Sequence, residues 1–366
     1  MKKTATLAAM KKSSSSSFTS KVYKSLPGFK GFSARLNNNE LNAMLADEDV
    51  DYIEPDQTMY ALGAFRRSAN FANATATRPP AESKCSATQT GAQSWGLSRT
   101  TSDVKGTDKY EHDPSWGAGV KVYVIDTGSS CDHTDFNTKC SCGPSFARGA
   151  ADGCADGNGH GTHCASTVAG IQYGVAKSAE IVGVKVLGDR GSGSNSDVIA
   201  GMDWVAQQGP GSVASMSLGG GFSTASNDAA DSMYKMGVTL VVAAGNDNGD
   251  ACNSSPASAA SAYTVGATDI EDARSSFSNY GECVDIFAPG TGITAAWPKG
   301  GDGATNTISG TSMACPHVAG AAAAIISQNP KYTNAQVKKA LSSLALNGVV
   351  ADVKADSPNL LLHLEC

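Results

Sequence analysis

Patterns for buried strands alternate with helical ones over most of the chain. The apolar runs at 120–125 (Val-Lys-Val-Tyr-Val-Ile), 181–187, 213–218 and 238–244 are short and mostly free of polar alternation, which marks strands covered on both faces. Between them, 196–208 and 226–236 carry apolar residues at helical spacing, with Ser196 and Ser226 placed to cap their first turns. Strand–helix–strand alternation predicts an α/β fold: a doubly wound, mostly parallel sheet with helices on both faces. In such sheets ligands sit outside the carboxyl ends of the strands. Residues 63–86 break the pattern. They are small and polar, with Arg66-Arg67 and Pro79-Pro80, and read as a linker between a unit at 1–62 and a body at 87–366.

Composition narrows the class. With 366 residues, 41% of them hydrophobic, the chain is long enough for one large core and a smaller unit. Its net charge of −6 is uneven, +1 over 1–62, +3 over 63–86 and −10 over 87–366. An acidic body is a poor nucleic-acid binder, and no partner of that kind is expected. The longest apolar run, 319–326, is broken at Gly320 and too short to span a membrane. Ten cysteines point to an oxidising compartment. Cys131, Cys140, Cys142 and Cys154 fall close together, leaving disulfides or a metal open. The Cys140-Ser-Cys142 spacing is too tight for a usual zinc pair, which favours disulfides of unassigned connectivity. A secreted protein is expected, although MKKTATLAAM runs into KKSSSSS without an adequate apolar leader region.

Four residues carry the candidate chemistry. Asp126 directly follows a strand, His160 opens a helical stretch, Ser312 begins an Ala-rich helix, and Asn246 lies just past a strand. A serine hydroxyl becomes a nucleophile when an imidazole takes its proton, and that imidazole needs a carboxylate to fix its tautomer. The developing oxyanion needs a donor, which an asparagine amide supplies. Other readings compete. His160-x-x-His163-Cys164 has the look of a metal cluster, and His163 and His317 read as core-facing helix residues. Ser312 followed by Asp352 or Asp356 and then His363 gives the order of an esterase fold. That elbow needs a buried strand before the serine, and 304–309 is short and polar. A peptide-binding protein that does not cut is the remaining alternative, disfavoured because all the catalytic positions are filled.

VIDTG, DGNGHGTHCA, SLGGG, AAGNDN, SSFSNYG, DIFAPG and GTSMACPHVAG follow one another between residues 95 and 364. With these motifs in this order the chain resembles the subtilisin-type serine peptidases, and within them the proteinase K branch. The resemblance implies that Asp126 orients and stabilises, His160 acts as base then acid, Ser312 is the nucleophile, and Asn246 completes an oxyanion hole. It implies that Gly191, Ser192, Gly193, Ser217, Leu218 and Gly219 flank an extended peptide, and that Ala243, Ala244 and Gly245 wall an open apolar pocket. Broad cleavage of protein and peptide substrates after apolar or aromatic residues is then expected, by a monomeric enzyme. Cys164 matches a buried, free thiol.

The resemblance implies more around this core. Cys252 and Cys283 stand where thermophilic relatives carry a disulfide. A structural calcium ion is implied at Ala260, Ala262 and Asp285, hard oxygen donors that such an ion accepts. The stretch GFKGFSARLNNNELNAMLADEDVDYIEPD resembles the second half of an α+β inhibitory prosegment, so 1–62 is expected to be a partial one acting as an intramolecular inhibitor. The family's first cut falls near Leu62, which leaves the mature start between Gly63 and about Ala87. Ser129, Ser166 and Cys315 depart from the family pattern beside the site, and altered stability is expected of them.

Overall fold

A computed structural model describes residues 21–48, 50–63, 85–148 and 153–366. The first twenty residues and 64–84, most of the expected linker, lie outside the described residues.

The body is built on a nine-stranded sheet of β1 (Lys121–Asp126), β2 (Cys140–Ser145), β3 (Glu180–Lys185), β4 (Val213–Met216), β5 (Thr239–Ala243), β6 (Tyr263–Thr268), β7 (Ile286–Pro289), β8 (Leu346–Asn347) and β9 (Leu360–Leu361). Their order is β8-β9-β7-β6-β5-β4-β1-β3-β2. Every pairing is parallel except β8 with β9. Alternation along each strand assigns the two faces. Val122 and Val124 of β1, with Val241 and Ala243 of β5, join one core with helices α1 (His160–Ala169) and α4 (Thr311–Gln328). Tyr123 and Ile125, with Leu240 and Val242, join the other core with α2 (Asn195–Ala206) and α3 (Thr224–Lys235).

Two consequences place the site. The strand order reverses at β1, which lies between β3 and β4, and a crevice opens outside such a switch point. Asp126 ends β1 with the parity of Val122 and Val124, and therefore faces α1 and α4, whose first turns carry His160 and Ser312.

The helix caps differ from expectation. Ser194 caps α2, its hydroxyl accepting from the Asp197 N–H, and Ser223 caps α3, accepting from the Ser226 N–H. Each cap lies two or three residues upstream of the serine expected from the sequence. The reason is geometric: a capping oxygen takes the N–H two or three residues on, so Ser226 supplies a donor instead of the cap.

The amino-terminal unit contributes strands Lys21–Tyr23 and Gly31–Ser33, the helix Asn38–Leu45 closed by a capping box from Asn37 and Glu40, and the strand Thr58–Ala61. Four disulfides are formed: Cys85–Cys366, Cys131–Cys140, Cys142–Cys154 and Cys252–Cys283. Cys164 and Cys315 are free and buried.

Candidate active site

Asp126, His160, Asn246 and Ser312 converge at the mouth of the switch point. Asp126 Oδ1 lies 2.7 Å from His160 Nδ1 and accepts the Thr127 N–H at 2.7 Å. Both side chains are almost fully buried. Burial is the largest influence and works against the imidazolium, but the charge and hydrogen bond of the Asp126 carboxylate oppose it, and the His160 pKa lies well above its ordinary value. The Nδ1 contact leaves Nε2 pointing away from the carboxylate, in the orientation a general base requires.

Ser312 sits in the first turn of α4, where its Oγ donates to the Ser217 carbonyl at 2.8 Å. Pro316, one turn on within the same helix, has no N–H to give to the Ser312 carbonyl. That carbonyl instead accepts from Ser217 Oγ at 2.9 Å and from the Cys164 thiol at 3.4 Å. The proline thus ties the turn of Ser312 sideways to α1 and to the residue after β4. Burial raises the Cys164 pKa, with His160 opposing, and Sγ stays 3.9 Å from His160 Nδ1.

Asn246 is oriented by Thr311, which donates both its N–H and its hydroxyl to Asn246 Oδ1 at 2.9 Å. The amide nitrogen must then point into the cleft, where Nδ2 donates to the Leu62 carbonyl at 2.7 Å. A side chain on Gly310 would collide with that carbonyl and with Gly63 Cα at 3.1 Å, so the approach needs glycine there. A Cβ on Gly63 would stand 2.9 Å from His160 Nε2. The Leu62–Gly63 peptide bond therefore lies between Asn246 and His160.

The rest of the amino-terminal strand runs along the cleft. Thr58–Ala61 pairs antiparallel with Ser192–Ser194 on one side and Leu218–Gly221 on the other. Ala61 N–H donates to the Gly191 carbonyl at 2.9 Å and Leu62 N–H to Ser217 at 3.2 Å. Gly219 lies under the Leu62 side chain, where a Cβ would approach Cδ1 to 3.0 Å. Ala243 and Ala244 are buried at the end of β5, and the Gly245 N–H donates to Thr311 Oγ1. Thr311 Oγ1 in turn donates to Asn246 Oδ1 and so links Gly245 to the asparagine.

Two carboxylates anchor the strand's approach. Glu54 accepts from the Thr224 and Ala225 N–H groups at the start of α3 and from the Ser223 hydroxyl. Asp56 accepts from the Ser196 N–H at 2.9 Å and the Ser196 hydroxyl at 2.8 Å at the start of α2, and pairs with Arg148 at 3.0 Å. Helix starts favour negative charge. The sequence reading missed these roles, as it missed Thr311; the acidic YIEPD motif carried the signal for both carboxylates.

The competing residues lie elsewhere. His163 and His317 are buried and bond to the carbonyls of Ile293 and Met313; burial pulls their pKa values down to about 3 and about 4, which keeps them neutral. His363 faces Asp103 and Asp352 pairs with Arg274 and Lys354, so the esterase arrangement is not assembled.

A serine beside a histidine–carboxylate pair at the switch point of a parallel sheet, with a peptide strand laid through it, is the architecture of a serine peptidase. The model of the subtilase family, Peptidase_S8, matches residues 117–359, and that of peptidase inhibitor I9 matches 1–62. The chain belongs to the subtilase family and is a serine hydrolase of peptide bonds, with the strand Thr58–Ala61 of its inhibitor-type segment lying in the cleft. It is similar to Subtilisin-like protease 2 of Pseudogymnoascus destructans, 44% identical over 92% of this chain and 78% of that one. Proteinase R of Parengyodontium album is 42% identical over 93% of this chain and 81% of its own length. A crystal structure of a cold adapted subtilisin-like serine proteinase superposes with a TM-score of 0.70 at 49% identity, covering 74% of this chain and 97% of that chain.

Structural calcium is common in this family, but the expected ligands do not fit the ion here. Asp285 does meet the right loop, accepting the Thr264 N–H at 2.7 Å. The Ala262 carbonyl, however, already accepts the Lys338 ammonium at 2.7 Å, and the neighbouring Ser261 carbonyl accepts it at 3.1 Å. An ion about 2.4 Å from that oxygen would share its space with a positive charge.

Proposed function

We propose that this chain is a secreted serine endopeptidase made as a self-processing zymogen, with segment 1–62, linker 63–86 and catalytic body 87–366. The position of Leu62 carries the reading: its carbonyl is held by Asn246, and Gly63 stands against His160. In this mechanism a rotation about χ1 carries Ser312 Oγ from the Ser217 carbonyl to His160 Nε2. The imidazole takes the proton as Oγ attacks the Leu62 carbonyl carbon, and Asp126 stabilises the imidazolium that forms. Asn246 Nδ2–H and the Ser312 N–H hold the oxyanion. His160 then protonates the Gly63 amine as it leaves, and water, activated by the same imidazole, hydrolyses the acyl-enzyme. After the cut the segment stays as an inhibitor through Glu54, Asp56 and its strand pairing. Protein substrates enter later as strands on the same two edges, led by backbone bonds. Leu62, an apolar residue over Gly219, stands for the preferred residue before the cut, so broad cleavage after apolar or aromatic residues is the specificity. Extracellular location and a monomeric state complete the reading; calcium at Ala260, Ala262 and Asp285 is not part of it.

The test is Ser312→Ala in the full chain. The variant is expected to retain 1–62 covalently and to hydrolyse no casein. Normal processing or turnover by this variant overturns the assignment.

A further inference from the structure

Lys338 lies on α5 (Asn334–Leu344), packed against the loop that leads into β6. Its ammonium donates to the carbonyls of Ser261 and Ala262 and stands over the rings of Tyr234 and Tyr263, 5.8 Å and 5.6 Å from their centroids. The charged groups facing it are Asp285, from the start of β7, and Asp231, from α3. Asp231 takes the Ser261 N–H and hydroxyl, and Asp285 takes the Thr264 N–H. Two carbonyls and two ring faces thus hold one cation, two carboxylates act on it by charge alone, and that cation is carried by the chain.

We propose that the Lys338 ammonium is the resident cation of this loop, replacing a divalent ion and making the fold independent of calcium at this site. An ammonium offers three donors on a flexible stem, enough for both carbonyls, and ring faces attract it. Its charge also acts favourably on the half-buried Asp285 and on Asp231. Because it is covalently part of α5, it ties that helix to the loop at any free ion concentration, whereas a bound ion stabilises only by mass action.

The full chain carrying Ser312→Ala, which cannot digest itself, provides the test, with melting temperature read in millimolar calcium and in chelator. The parent is expected to melt at the same temperature in both. Lys338→Ala is expected to melt several degrees lower in chelator and to recover part of that loss with calcium, a recovery that Asp285→Asn removes. A parent whose melting temperature falls on chelation, with Asp285→Asn abolishing the fall, overturns the proposal. So does a Lys338→Ala protein that melts like the parent in chelator. Should Lys338→Ala not fold, calorimetric titration of the parent decides: calcium heat that Asp285→Asn eliminates refutes the replacement, and its absence supports it.

Discussion

Thr311 gives both its backbone N–H and its hydroxyl to Asn246 Oδ1, each at 2.9 Å, and so aims the amide nitrogen at the Leu62 carbonyl. In the proposed mechanism Thr311 therefore positions the oxyanion donor. Asn246→Ala is expected to lower kcat by about a hundred- to a thousandfold with little change in KM, the effect of losing one such donor. Thr311→Val, which keeps one of the two bonds, should cost about fivefold, on the order of one neutral hydrogen bond. Steady-state kinetics on a peptide anilide separates the two. A Thr311→Val enzyme with unchanged kcat would remove the threonine from the positioning argument.

The pH profile follows from the Asp126–His160 contact. The carboxylate raises the imidazole pKa, and the base works only when neutral, so kcat/KM should fall as pH drops through that raised value. Asp126→Asn is expected to move the acid limb to lower pH and to reduce kcat by about 10⁴. An acid limb that stays in place in the variant would mean that another group titrates there.

Glu54 and Asp56 hold the amino-terminal segment through helix-start N–H groups. Hydrogen bonds to a charged group contribute about 1.5–3 kcal/mol each. Replacing both residues by their amides in the full chain should shorten the lag between cutting at Leu62–Gly63 and the appearance of activity by at least tenfold. Electrophoresis against an activity time course measures that lag. Equal lags in the two proteins would place the inhibition in the strand pairing alone.

Ser166, which departs from the family pattern, is not a neutral replacement. Its hydroxyl donates to the buried Asp135 at 2.6 Å and accepts the Ala296 N–H at 3.1 Å. Ser166→Gly leaves both groups short of a partner and is expected to destabilise the protein by about 1–3 kcal/mol, read as a lower urea midpoint at unchanged slope.

Cys252–Cys283 closes a loop with a sequence separation of 31, worth about 3–4 kcal/mol in the chain-entropy account. The Cys252→Ser, Cys283→Ser pair should lose stability of that order in denaturant titration. Peptide mapping without reductant should recover this bridge together with Cys85–Cys366.

The primary sequence determined the sheet and singled out the four residues that the fold brings together. Strand alternation alone puts Asp126 on the face of Val122 and Val124, and the motifs around His160, Asn246 and Ser312 are local enough to be read directly. The caps of α2 and α3 were misread by two or three residues, because several serines at each helix start compete for one role and only backbone geometry chooses among them. Tertiary structure decided the rest. Glu54 meets Ala225 across 171 positions and Lys338 meets Ala262 across 76, pairings that no local pattern encodes. A lysine's long stem leaves its partners undetermined until a carbonyl-lined, acidic hollow comes within reach. That contact, and not the loop motif, brings an ammonium to the loop.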